Sequence, residues 1–148
     1  VHWIAGIRMV LGEVAQASAF ATLTRPQLPP YDTLASVLHF ENGTLANYSS
    51  THATNVEYGM SMNVIGQDGV IEMTRESLRL FSAGAEAAQD VEVKGMRSIR
   101  DELAAFAESF LTGAPNRNTP EEALRDVAVM EAILQSVESG QAVPVERI

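Results

Sequence analysis

The stretch Leu34-Ala35-Ser36-Val37-Leu38-His39-Phe40-Glu41-Asn42-Gly43-Thr44-Leu45-Ala46-Asn47-Tyr48-Ser49-Ser50 contains two runs that suit a pleated strand, joined by a tight turn. Asn-Gly tolerates the positive φ angles that a short hairpin turn needs, so the chain is expected to reverse there and pair Leu45–Ser50 back on Leu34–Phe40. Leu34, Ser36, Leu38 and Phe40 alternate imperfectly with Ala35, Val37 and His39, so both faces of the first strand carry apolar side chains. Antiparallel pairing is therefore set locally, and the rest of the chain must supply what covers the sheet.

Downstream a second hairpin is clearer. Met60, Met62 and Val64 alternate with Ser61 and Asn63, Gly66-Gln67-Asp68-Gly69 turns, and Val70, Ile71 and Met73 return. Leu78-Arg79-Leu80-Phe81 and Val91-Glu92-Val93 extend the meander around the polar, Ala-rich loop from Ser82 to Gln89. Beyond Gly95 the period changes. Ile99, Leu103, Phe106, Phe110 and Leu111 recur at helical spacing over Ser98–Thr112. Thr119-Pro120-Glu121-Glu122 then opens a second helix with a capping Thr, Pro at the first helical position and Glu three residues after the cap. That helix carries Leu124, Val127, Met130, Ile133, Leu134 and Val137 to Gly140, and Ala142–Val145 adds a last strand.

Upstream, Ile4, Ile7, Val10 and Leu11 fit a helix closed by Gly12. Val14–Thr24 alternates weakly and is so Ala-rich that strand and helix both remain open. Arg25-Pro26-Gln27-Leu28-Pro29-Pro30 breaks it, because proline donates no ladder hydrogen bond. The order is helix, five to seven strands, two helices, strand. It predicts an α+β fold: a single, mostly antiparallel sheet with helices packed on one face, all in one domain over residues 1–148.

Composition narrows the function. Ten basic against 19 acidic residues give a net charge of −9, which opposes nonspecific attraction to nucleic acid or anionic membrane. With no cysteine, disulfides, thiolate metal sites and cysteine nucleophiles are excluded, and a cytoplasmic location is the expectation. No apolar run approaches the roughly 20 residues a membrane-spanning helix needs, and no metal site is expected from three dispersed histidines. The opening residues read as helix with no capping Ser, Thr or Asp before them, which leads us to expect further chain upstream of Val1.

Four pieces together resemble the C-terminal domain of the Gfo/Idh/MocA oxidoreductase family. They are His2-Trp3-Ile4-Ala5-Gly6-Ile7-Arg8-Met9-Val10-Leu11-Gly12-Glu13; Asp32 with Leu38-His39-Phe40-Glu41-Asn42-Gly43-Thr44; Val64–Ile71; and Thr119–Ser136 with Gly140 and Val143. The resemblance implies a two-domain enzyme whose N-terminal Rossmann domain, absent from this chain, binds NAD or NADP. This half would then wall a pocket for a small sugar-like or polyol substrate and form a homodimer or higher homo-oligomer through its open sheet face. The family commonly has a Lys in the other half and an Asp four residues before the His that His2 matches, a position upstream of Val1. It often has an Asp three residues after that His, where this chain has Ala5.

Within that frame His2 is the catalytic candidate, since an imidazole can exchange a hydroxyl proton near neutral pH; the bland alternative is a helix-start residue packed on a neighbour. Trp3 could stack on a substrate ring, although a lone Trp on a helix more often serves the core. His52 lies in the polar stretch Ser49–Asn55, which could line a sugar pocket or end a strand in water. His39 reads as a core or sheet-face residue, and Asp32 as a cap for the strand or the proline-rich turn. The chain has no G-x-G-x-x-G after a strand and so no basis for holding a dinucleotide by itself. A stand-alone α+β module that binds a small ligand without catalysis is the alternative.

Overall fold

The computed structural model describes residues 1–56, 59–92, 98–116 and 118–148. The element order is α1 (His2–Leu11), β1 (Val14–Thr22), β2 (Thr33–Phe40), β3 (Leu45–Thr51), β4 (Ser61–Gly66), β5 (Gly69–Thr74), β6 (Leu78–Ser82), β7 (Gln89–Val91), α2 (Ser98–Thr112), α3 (Pro120–Ser139) and β8 (Val143–Pro144). All strand pairings among the described residues are antiparallel. The α+β class and the order of elements are as expected. The count of sheets is not: the strands form two four-stranded sheets, β3-β2-β1-β8 and β4-β5-β6-β7, in place of one. They fall in two compact units, Val1–Thr54 with Asn116–Ile148, and Asn55–Pro115. Hairpin signals in sequence specify which strands are neighbours within a meander, and nothing local specifies whether two meanders continue one ladder. Val93, expected at the end of β7, lies outside the described residues.

In the first unit the short Ala-rich segment resolves as strand. Ala17 and Ala19 of β1 are buried with Leu38 and Phe40 of β2 against Ile4 of α1 and Val129, Ala132 and Ile133 of α3. Small side chains on β1 let the α3 backbone approach the sheet, which is why alanine serves there in place of the usual β-branched residue. The alternate residues of β2, Ala35, Val37 and His39, are exposed. Helices therefore cover one face of this sheet, the one bearing Leu34, Leu38 and Phe40.

Because β8 is short, β1 has an edge amide beyond it. Ser136 of α3, almost fully buried, supplies the missing partner: its Oγ accepts from Ala19 N at 2.9 Å and donates to Gln141 O at 2.7 Å. Helix ends behave as their sequences imply. Thr119 Oγ1 accepts from Glu122 N at 3.3 Å, Pro120 opens α3, and Gly140 closes it with φ 67°. Asn42 has a second role beyond the hairpin turn, since its Nδ2 donates to Leu11 O at 2.8 Å and so caps α1 from across the chain.

The second unit is a four-stranded meander followed by α2. Gly69 sits where a Cβ would collide with the carbonyl oxygen of Phe81 on β6, so the β4–β5 turn tolerates no side chain there. Arg79 lies over the Phe81 ring at 4.9 Å and 3.5 Å from both Glu72 and Asp90. The apolar stripe of α2 keeps its helical spacing but is not buried: Ile99, Leu103, Phe106 and Phe110 all remain exposed.

Candidate functional site

α1 crosses α3 in the first unit, and a groove of about 650 Å³ lies along the crossing. One wall comes from α1 (His2, Ala5, Gly6, Met9) and the other from the start of α3 (Ala123, Val127), with Asn118 at the end. Its charged floor is Arg8 with Glu13, Glu122 and Asp126.

Arg8 is 7% exposed, and its surroundings explain how a guanidinium stays there. Nε and Nη2 donate to the two oxygens of Glu13 at 3.0 and 2.9 Å. Nη2 also reaches Glu122 Oε2 at 2.9 Å, while Nη1 donates to Asp126 Oδ1 at 2.5 Å and to the backbone oxygen of Glu122 at 3.2 Å. A guanidinium has five N–H groups, so these five bonds use every donor. Burial alone would lower the Arg8 pKa; the bonds to Glu13, Asp126 and Glu122 outweigh it and hold the group above its ordinary range. On Glu13 the hydrogen bonds from Arg8 pull the carboxyl below its ordinary value against the effect of burial.

His2 begins α1 and lines the groove. Its side chain makes no hydrogen bond among the described residues. Trp3 shares the helix but is half exposed and outside the groove lining, and so is His52. His52 follows β3 with its side chain in solvent, and its backbone N donates to Asp32 O at 2.7 Å. The structure thus brings only His2 of the three candidates to the groove. His39 is exposed on the open sheet face, opposite Leu45 and Gln16.

Asp32 does cap the proline-rich turn. Its carboxylate accepts from Thr24 N at 3.0 and 3.1 Å, Arg25 N at 2.6 Å and Thr33 Oγ1 at 3.0 Å. Burial works to raise its pKa, and these backbone and hydroxyl donors outweigh it to leave the carboxyl below its ordinary value. The Arg8 cluster was not anticipated from sequence. Glu13 is five positions away, but the other two partners lie 114 and 118 positions off, and acids at such distances leave no local pattern. Among the described residues no group of three His, Asp or Glu could hold a metal ion, and no helix is long and apolar enough to cross a membrane.

Residues 1–146 match the model of the Gfo/Idh/MocA oxidoreductase family, C-terminal α/β domain. The chain belongs to this family. It is 28% identical over 148 aligned residues to a dehydrogenase of Fusarium mangiferae, the alignment covering 92% of the chain and 41% of that protein. Among solved structures it resembles an oxidoreductase from Thermotoga maritima (30% identity, TM-score 0.84, covering 97% of the chain and 42% of the other). The WlbA dehydrogenase from Bordetella pertussis, solved with NADH and UDP-GlcNAcA, shares the fold at 14% identity (TM-score 0.81, covering 99% of the chain and 44% of the other). The chain thus spans less than half the length of these relatives. Where the resemblance leads to an acid three residues after His2, the groove is lined by Ala5.

The depressed Glu13 pKa makes a stability prediction with a definite sign. A carboxyl whose folded pKa lies below its unfolded value contributes stability above the unfolded pKa, and that contribution is lost as pH falls through the folded pKa. Asp32 adds to the same acid limb. Urea unfolding of the chain at a series of pH values from about 6 down to about 3 should show stability falling, with a shallower fall in Glu13→Gln. An equal slope in wild type and variant would show that Glu13 gains nothing from Arg8.

Proposed function

We propose that this chain is the substrate-binding and oligomerisation half of a cytoplasmic oxidoreductase that moves a hydride between NAD(P) and a hydroxyl carbon of a sugar, polyol or related compound. The observation that carries this reading is the family match over residues 1–146 in a chain less than half as long as its relatives. The presence of NADH in the Bordetella relative supports the cofactor class. This chain's own residues do not suit a dinucleotide: α3, whose N-terminus could attract phosphate, begins with Glu121 and Glu122 and is already capped by Thr119. The cofactor is therefore assigned to residues beyond this chain.

What this chain contributes is a proton exchange. Exposed at the start of α1 and lining the groove, His2 can accept the proton of a substrate hydroxyl as that carbon is oxidised, and return it in reduction. Ala5, Gly6 and Val127 leave the adjacent wall small and uncharged, which suits a neutral hydroxyl compound better than an acid. In the full-length protein, His2→Ala should lower kcat by about 10²–10⁴-fold, the usual cost of losing a general acid–base group. Steady-state kinetics showing wild-type kcat in that variant would reduce His2 to a packing residue.

The open face of the β3-β2-β1-β8 sheet supports self-association. Phe20 (80% exposed), Val37 (46%) and Leu45 (67%) run diagonally across β1, β2 and β3, with Ala35 between the first two. Stacking this face on itself across a two-fold axis covers the diagonal with one self-complementary contact. Sedimentation equilibrium at micromolar concentration should give a dimer that Phe20→Asp dissociates; a 16.0 kDa monomer for the wild-type chain would contradict the sheet interface.

A further inference from the structure

We propose that Arg8 is a positioning residue for His2: its five-donor clasp fixes the rotation of α1 about its axis, and so sets where the imidazole stands in the groove. The inference rests on the reading of His2 given above and adds a residue that does not itself touch substrate.

The argument starts from what else holds α1. The helix has ten residues and no side-chain cap at its N-terminal end, and its first turn carries no acidic residue. Ile4 is fully buried, and Ile7 and Leu11 pack beside it against the core. These three lie on one face, and apolar packing of this kind is non-directional. At the far end, Asn42 Nδ2 and Gly12 N bind the last turn through the backbone oxygens of Leu11 and Arg8. At 3.6 residues per turn His2 stands roughly 160° around the helix from Ile4, on the outward face. Arg8 lies about 120° around from His2 and about 9 Å along the axis, on the flank turned to α3.

That flank carries the directional contact. The guanidinium plane is held from two sides, by Glu13 at the start of the chain leaving α1 and by Glu122 and Asp126 one turn apart on α3. With all five N–H groups engaged, a rotation of α1 must break several short bonds at once, the one to Asp126 in a buried setting. A side-chain group about 6 Å from a helix axis moves about 1 Å for every 10° of rotation. A displacement of that size at a reacting group can cost on the order of 10²-fold in rate. All three carboxylates of the groove pair with Arg8, and no hydrogen bond joins any of them to His2 among the described residues, so the position of α1 is left to orient the imidazole.

The test uses the full-length protein and three variants. Arg8→Lys keeps the charge and loses the planar fork. Arg8→Met with Asp126→Leu replaces a buried pair by apolar groups, a change that commonly preserves folding. His2→Ala removes the group being positioned. Arg8→Lys and the double variant should each lower kcat per folded molecule by about 10- to 100-fold with KM nearly unchanged. Neither should reduce kcat further when combined with His2→Ala. The His2 ring resonances, assigned by their loss in His2→Ala, should move in Arg8→Lys. Wild-type kcat per folded molecule in Arg8→Lys or in the double variant would overturn the proposal and leave Arg8 a stability element. If His2→Ala itself keeps full turnover, the catalytic reading of His2 fails alone. The ring resonances then decide positioning, which stands if they move in Arg8→Lys and falls if they stay fixed.

Discussion

A buried guanidinium that has no water must be satisfied by protein on every side, and the first unit is organised around doing so for Arg8. Glu13 comes from the turn between α1 and β1, and Glu122 and Asp126 come from the first two turns of α3. The cluster therefore joins residues from the two ends of the sequence. Apolar burial on the sheet side of α1 would hold the helix down without it. The clasp adds a directional contact from α1 to α3, on a helix whose outward face carries His2.

The same contact explains what the groove lacks. Three carboxylates border it, yet each is engaged with Arg8, and the position three residues after His2 is Ala5. The wall facing a ligand is consequently small and apolar, with one imidazole at its end. Such a surface recognises little by itself.

Local features were readable from sequence in proportion to how local their physics is. Asn42-Gly43 marks its hairpin, Thr119-Pro120 and Gly140 mark the ends of α3, and Asp32 beside the proline-rich turn marks a cap. In each case the interacting groups lie within a few positions or follow from backbone geometry. Val14–Thr22 was ambiguous because alanine suits either state; tertiary packing under α3 decided it. The division into two sheets was missed since a strand carries no signal for which of its edges stays unpaired. The α2 stripe shows the converse limit. Its period correctly identified a helix, and the expectation of burial on the sheet did not follow, as Phe110 at 82% exposed makes plain. His2 entered only through resemblance to a family, and Arg8 not at all.

Trp3, the single tryptophan of the chain, sits on α1 about one and a half turns from Arg8 and gives a direct optical report on that helix. The decisive measurement is a double-mutant cycle by urea unfolding followed through Trp3 fluorescence, with Arg8→Met, Asp126→Leu and the double variant. Arg8→Met leaves three carboxylates without their cation and should destabilise by about 3 kcal/mol; Asp126→Leu leaves Arg8 paired with Glu13 and Glu122 and should cost less, and the double variant should lose clearly less than the sum of the two. Single effects that simply add would contradict the central claim that Arg8 and its carboxylates clasp α1 to α3.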